Sequence, residues 1–74
     1  MERALLIGVP RESSPGETRV AATPATVAQL RGLGYDVVVE SGAGVKASFT
    51  DEAYAAAEAT VGSDADVWGA DIIL

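Results

Sequence analysis

Short continuous apolar runs, spaced along a chain of only 74 residues, constrain this sequence more than any other feature. Ala4-Leu5-Leu6-Ile7-Gly8-Val9 is the first, Val37-Val38-Val39 within Tyr35 to Glu40 is the second, and Asp71-Ile72-Ile73-Leu74 begins another. Runs of this length without polar alternation predict strands buried on both faces, the habit of parallel sheets covered by helices. The β-branched valines of the second run fit a strand better than a helix.

The segments between these runs carry helix signals. Thr23-Pro24 predicts a helix start: the threonine side chain caps, and proline suits the first helical position, where no N–H is needed. Val27, Leu30 and Leu33 then recur on one face, and Gly32 and Gly34 close the helix. Ser41-Gly42-Ala43-Gly44 predicts a turn. Thr50 predicts a second cap, with Asp51 and Glu52 in the first turn, where the helix dipole favours acids. Tyr54, Ala57 and Val61 trace the inner side of that helix, although Ala59 to Val61 also fits a short third strand. Ser63 to Trp68 fits one more helical turn. The order strand, helix, strand, helix, strand predicts an α/β fold: a Rossmann-like or flavodoxin-like three-layer parallel sheet, here its first β-α-β-α-β portion. The chain stops within an apolar strand without a polar tail, as expected of a piece of a longer protein.

Composition removes several classes of function. A chain of this length forms one small domain, burying roughly 60% of the surface its unfolded form exposes. It has no cysteine and no histidine, so neither a disulfide framework nor a Cys/His zinc site is expected. The 11 acids against 5 bases leave a net charge of −6, which disfavours binding to nucleic acid or to an anionic membrane surface. The first apolar run is far short of the ~20 residues that span a bilayer, and it lacks a signal-peptide cleavage pattern. A soluble, cytoplasmic protein is expected.

In open parallel sheets, ligands bind outside the carboxyl ends of the strands. Two loops fall there. The first, Pro10-Arg11-Glu12-Ser13-Ser14-Pro15-Gly16-Glu17-Thr18-Arg19, brings two arginines and two glutamates beside a helix start. An arginine grips a carboxylate or phosphate with two parallel hydrogen bonds, so Arg19, with Arg11, is a candidate anion ligand. The alternative is that Arg11, Glu12, Glu17 and Arg19 pair with one another and order the loop. The second loop, Gly42-Ala43-Gly44-Val45-Lys46-Ala47, matches G-x-G-x-x-A after a strand, the pattern of a dinucleotide fingerprint. Against that, it follows the second strand, its helix begins only near Thr50-Asp51, and Asp51 and Glu52 stand where a pyrophosphate needs N–H groups. The alternative is a tight turn that needs glycine for positive φ. Lys46 reads as a solvated charge, Asp64 and Asp66 as solvated acids at a helix start, and Trp68 as a core plug or interface residue. No Ser/His or Cys/His arrangement supports nucleophilic catalysis.

Three stretches together resemble one family: Ile7-Gly8-Val9-Pro10-Arg11-Glu12, Glu17-Thr18-Arg19-Val20-Ala21-Ala22-Thr23-Pro24 and Val39-Glu40-Ser41-Gly42-Ala43-Gly44. Their order and spacing are similar to those of the N-terminal domain shared by alanine dehydrogenase and the proton-translocating NAD(P) transhydrogenase α subunit. The resemblance covers nearly the entire chain. Ala22, Ser41 and the following Ala47-Ser48-Phe49 look more like the transhydrogenase branch, since alanine dehydrogenases usually carry a bulkier residue at Ala22 and often threonine at Ser41. One departure is Glu58, where relatives commonly have glycine before a short strand.

The resemblance implies that residues 1–74 are the N-terminal part of this domain and that the NAD-binding domain lies outside the chain. It implies a parent enzyme passing hydride between NAD(H) and NADP(H), coupled to proton movement across a membrane. NAD(H) would bind mainly on a later domain of the α subunit and NADP(H) on a partner domain. The implied partners are the remaining α-subunit domains, the β subunit or the membrane and NADP(H)-binding components, and a second copy in a homodimer. The implied location is the cytoplasmic face of the inner membrane, held there by those components. No catalytic, cofactor-binding or metal-binding residue is assigned within the chain, and the isolated piece is expected to be inactive. In alanine dehydrogenases the arginine matching Arg19 holds the substrate carboxylate, which makes Arg19 the one substrate-binding candidate. A fragment of an NAD-dependent alanine dehydrogenase and a non-catalytic interaction module are the alternative functions.

Overall fold

The computed structural model describes residues 4–11 and 22–74, apart from the Lys46 side chain. Glu12, Glu17 and Arg19 of the first loop lie outside the described residues. The chain forms β1 (Leu6–Val9), α1 (Pro24–Gly32), β2 (Asp36–Glu40), a 3-10 turn (Val45–Ala47), α2 (Asp51–Ala56), β3 (Thr60–Gly62), α3 (Asp64–Trp68) and β4 (Ile72–Ile73). Of the two readings of residues 59–61, the strand is the one adopted, so Val61 belongs to β3 and not to the second helix.

The helix starts follow the local chemistry. The Thr23 side chain accepts from the Thr26 N–H at 3.2 Å, with Pro24 in the first turn. Thr50 accepts from the Ala53 N–H at 3.1 Å. Ser63 and Asp66 form a reciprocal capping box, each side chain bonded to the other's backbone N–H. Each such cap is worth about 1 kcal/mol, a substantial share for helices of only five to nine residues.

All strand pairs are parallel, and the sheet order is β3-β2-β1-β4. Ile7 stands beside Val37 and Val9 beside Val39, so these four side chains share one face. On that face they form a core with Val27 of α1, Tyr54 of α2, Ala22, Ala43 and Ala59. Gly8 and Val38 point to the opposite face, where α3 packs. A Cβ added to Gly8 would lie 2.5 Å from the Val67 carbonyl oxygen, so the absence of a side chain is what lets α3 approach β1. Helices on both faces of a parallel sheet make the expected three-layer α/β arrangement.

Three side-chain expectations are corrected. Leu33 is 75% exposed, because the helix ends at Gly32 and Leu33 is its C-cap, turned off the buried stripe of Val27 and Leu30. Trp68 is 61% exposed, since Val67 is the α3 residue aimed at the sheet; Trp68 plugs no core. The last strand is not buried on both faces: Ile72 is 39% exposed, because α1 and α2 cover β1 to β3 and leave β4 at the sheet edge.

Candidate functional site

The sheet order locates a topological switch. The chain leaves β1 for β2 and β3 on one side, then returns to place β4 on β1's other side. Ligands of doubly wound sheets bind at the carboxyl ends of the strands where this reversal occurs, here beside β1 and β4. Pro10 and Arg11 leave the carboxyl end of β1 and begin the segment that carries Arg19 in the sequence.

Arg11 is tied to β2. Its backbone N–H donates to Glu40 Oε1 at 2.9 Å, and its Nε stands 3.9 Å from Glu40 Oε2. The Val9–Val39 register brings Glu40, the last residue of β2, beside Arg11, two residues past the end of β1. The expected pairing of Arg11 within its own loop therefore has a competitor from β2 that sequence spacing did not reveal, 29 residues away. Glu40 is only 17% exposed while Arg11 is 62% exposed, so the carboxylate anchors the backbone and the guanidinium extends outward across Gly42.

The second loop is organised from within. Asp51, the first residue of α2, accepts from Ser41 Oγ at 2.7 Å and from the Gly42 N–H at 2.9 Å. The Ser41 and Gly42 hydrogen bonds, in that order of effect, hold the Asp51 carboxyl below its ordinary value of 3.8. An acid thus occupies the Gly42 donor that a fingerprint loop would aim at a phosphate. Gly42 has φ +84°, the positive φ of the tight-turn alternative. Gly44 is needed for a different reason: a Cβ there would lie 2.6 Å from Tyr54 Cε2 and 2.8 Å from Phe49 Cβ. The glycines of G-x-G-x-x-A here serve a turn and the close packing of α2.

Tyr54 links α2 to the residue just before the cap of α1. Its fully buried ring meets Phe49 edge-on, with centroids 6.4 Å apart, and its hydroxyl donates to the Ala22 carbonyl at 2.8 Å. Burial raises the phenol above its ordinary value of 10.0. The first loop segment is therefore flanked by Arg11, held by Glu40, and by Ala22, held by Tyr54. The sequence places Tyr54 on the inner side of its helix but carries no signal for the Ala22 bond, 32 residues distant.

The other candidates lie elsewhere. Asp64 and Asp66 are exposed at the start of α3, and the Ser63 backbone and side-chain hydrogen bonds hold Asp66 below its ordinary value. Among the described residues no group of three His, Cys, Asp or Glu could hold a metal ion. None of the described helices is long and apolar enough to cross a membrane. At the opposite end of the sheet, Arg31 binds Asp36 and Glu58 beside a shallow groove of about 380 Å³ lined by Ala28, Gly32, Ala56 and Ala57.

A four-stranded parallel sheet with helices on both faces is an α/β, Rossmann-like portion of a fold. Residues 8–74 match the family described as alanine dehydrogenase/PNT, N-terminal domain, and the chain belongs to that family. It is 56% identical over 69 residues to the NAD(P) transhydrogenase subunit alpha of Haemophilus influenzae, covering 93% of this chain and 14% of that subunit. Among solved structures, a transhydrogenase from Sinorhizobium meliloti superposes with TM-score 0.89 and 45% identity, over 93% of this chain and 20% of the other. An L-alanine dehydrogenase superposes with TM-score 0.91 and 37% identity, over 95% of this chain and 20% of the other. The chain thus spans at most one fifth of the length of these proteins.

Proposed function

We propose that this chain is part of the NAD(H)-binding component of a transhydrogenase, within a parent that transfers hydride between NAD(H) and NADP(H) and couples this to proton translocation. The observation that carries the reading is the 56% identity to a transhydrogenase α subunit across almost the whole chain, against 44% to the alanine dehydrogenase of Bacillus subtilis. The fold does not separate the two branches, since both superpose closely. NAD(H) binds on a domain outside residues 1–74, and NADP(H) on a partner component. The rest of the α subunit, the β subunit or its membrane and NADP(H)-binding equivalents, and a second α subunit complete the assembly at the cytoplasmic face of the inner membrane.

The local geometry is consistent with a supporting role for residues 1–74. The Gly42 N–H and the Ser41 hydroxyl are engaged by Asp51, and the Glu40 carboxylate by Arg11. The parent enzyme tests the reading directly. Reduction of an NAD analogue by NADPH is the expected activity; its absence, with NADH oxidation by pyruvate and ammonia in its place, would overturn the assignment. Calorimetry on residues 1–74 should detect no micromolar NAD(H) binding, and a clear binding isotherm would refute the placement of the nucleotide site elsewhere.

The alanine dehydrogenase reading rests on the shared family and gives Arg19 a defined task, holding the pyruvate carboxylate by a bidentate contact. In a parent with that activity, Arg19→Ala should raise KM for pyruvate at least tenfold. An unchanged KM would remove Arg19 from the substrate site.

A further inference from the structure

We draw no further inference here: the strongest candidate, the uncovered apolar strip that Leu5, Ile72 and Leu74 form along the β1–β4 edge of the sheet, carries none because nothing in the structure shows what covers it.

Discussion

The Tyr54 hydroxyl donates a buried 2.8 Å hydrogen bond to the carbonyl of Ala22, the residue just before the cap of α1. This contact ties α2 to the start of α1. Removing the hydroxyl alone leaves the ring packing intact and strands a buried carbonyl. Tyr54→Phe should therefore cost about 1–3 kcal/mol in urea denaturation. A loss within experimental error would mean that water or a shifted backbone satisfies Ala22. The raised phenol pKa has a sign of its own: the neutral form favours the folded state, so this contribution is complete below the unfolded value near 10.0 and fades as pH rises through the higher folded value.

Gly8 and Gly44 stand where a methyl group has no room. Gly8→Ala would push the new Cβ to 2.5 Å from the Val67 carbonyl, and Gly44→Ala would push it to 2.6 Å from the Tyr54 ring. Both neighbours are buried, and one is backbone. Each substitution should cost about 1–3 kcal/mol by overpacking. Gly32→Ala is the control, because nothing lies within 4 Å of its added Cβ. It should be neutral or slightly stabilising, as alanine favours the helix. Thermal melts of the three variants side by side would test the ranking, and equal losses at all three positions would contradict it.

Glu58 occupies a left-handed conformation, φ +71°, at the turn between α2 and β3. An L side chain is strained there, and glycine is not. Its compensating contact is an exposed 3.5 Å ion pair with Arg31, which is worth little in water. Glu58→Gly should raise the midpoint of thermal unfolding, by the equivalent of up to about 1 kcal/mol. Glu58→Ala should not, because it loses the ion pair and keeps the strained φ. If both variants melted below the parent sequence, the ion pair would outweigh the strain.

Asp51 makes the second loop sensitive to acid. Its hydrogen bonds from Ser41 and Gly42 lower its folded pKa below 3.8. A depressed carboxyl contributes stability that is fully present above the unfolded value and is lost as pH falls through the folded one. Asp66 acts in the same direction through Ser63. The melting temperature should thus fall as pH drops below about 4, and Asp51→Asn should flatten that slope. Because Asp51 is the acceptor for both donors, the variant should also melt lower near neutral pH. An unchanged acid slope would show that other carboxylates govern it.

The helix starts were legible because capping is a contact between neighbours. Thr23, Thr50 and Ser63 each bond to a backbone N–H three residues ahead, a distance that sequence spacing states outright. The first strands were legible because a buried run in a parallel sheet needs no alternation. The family signature was legible for the same reason: it is a set of residues at fixed spacings. Where local pattern met the end of an element, it failed. Leu33 completes the three-residue spacing but falls after the last helical residue, and Ile72 completes an apolar run but lies beyond the reach of α1 and α2.

By itself, then, the sequence determined the alternation of strands and helices, the places where helices begin, and the family. Tertiary structure alone decided which polar groups meet. Glu40 reaches Arg11 because β1 and β2 lie parallel with Val9 beside Val39; nothing in either residue's neighbourhood announces the other. Tyr54 reaches Ala22 because α1 and α2 pack on one face of the sheet. What separates the turn of Gly42 and the clearance at Gly44 from a phosphate cradle is Asp51 on the Gly42 N–H and the Tyr54 ring beside Gly44. Such pairings depend on strand register and helix placement, which are set by the packing of the whole core rather than by any short stretch of residues.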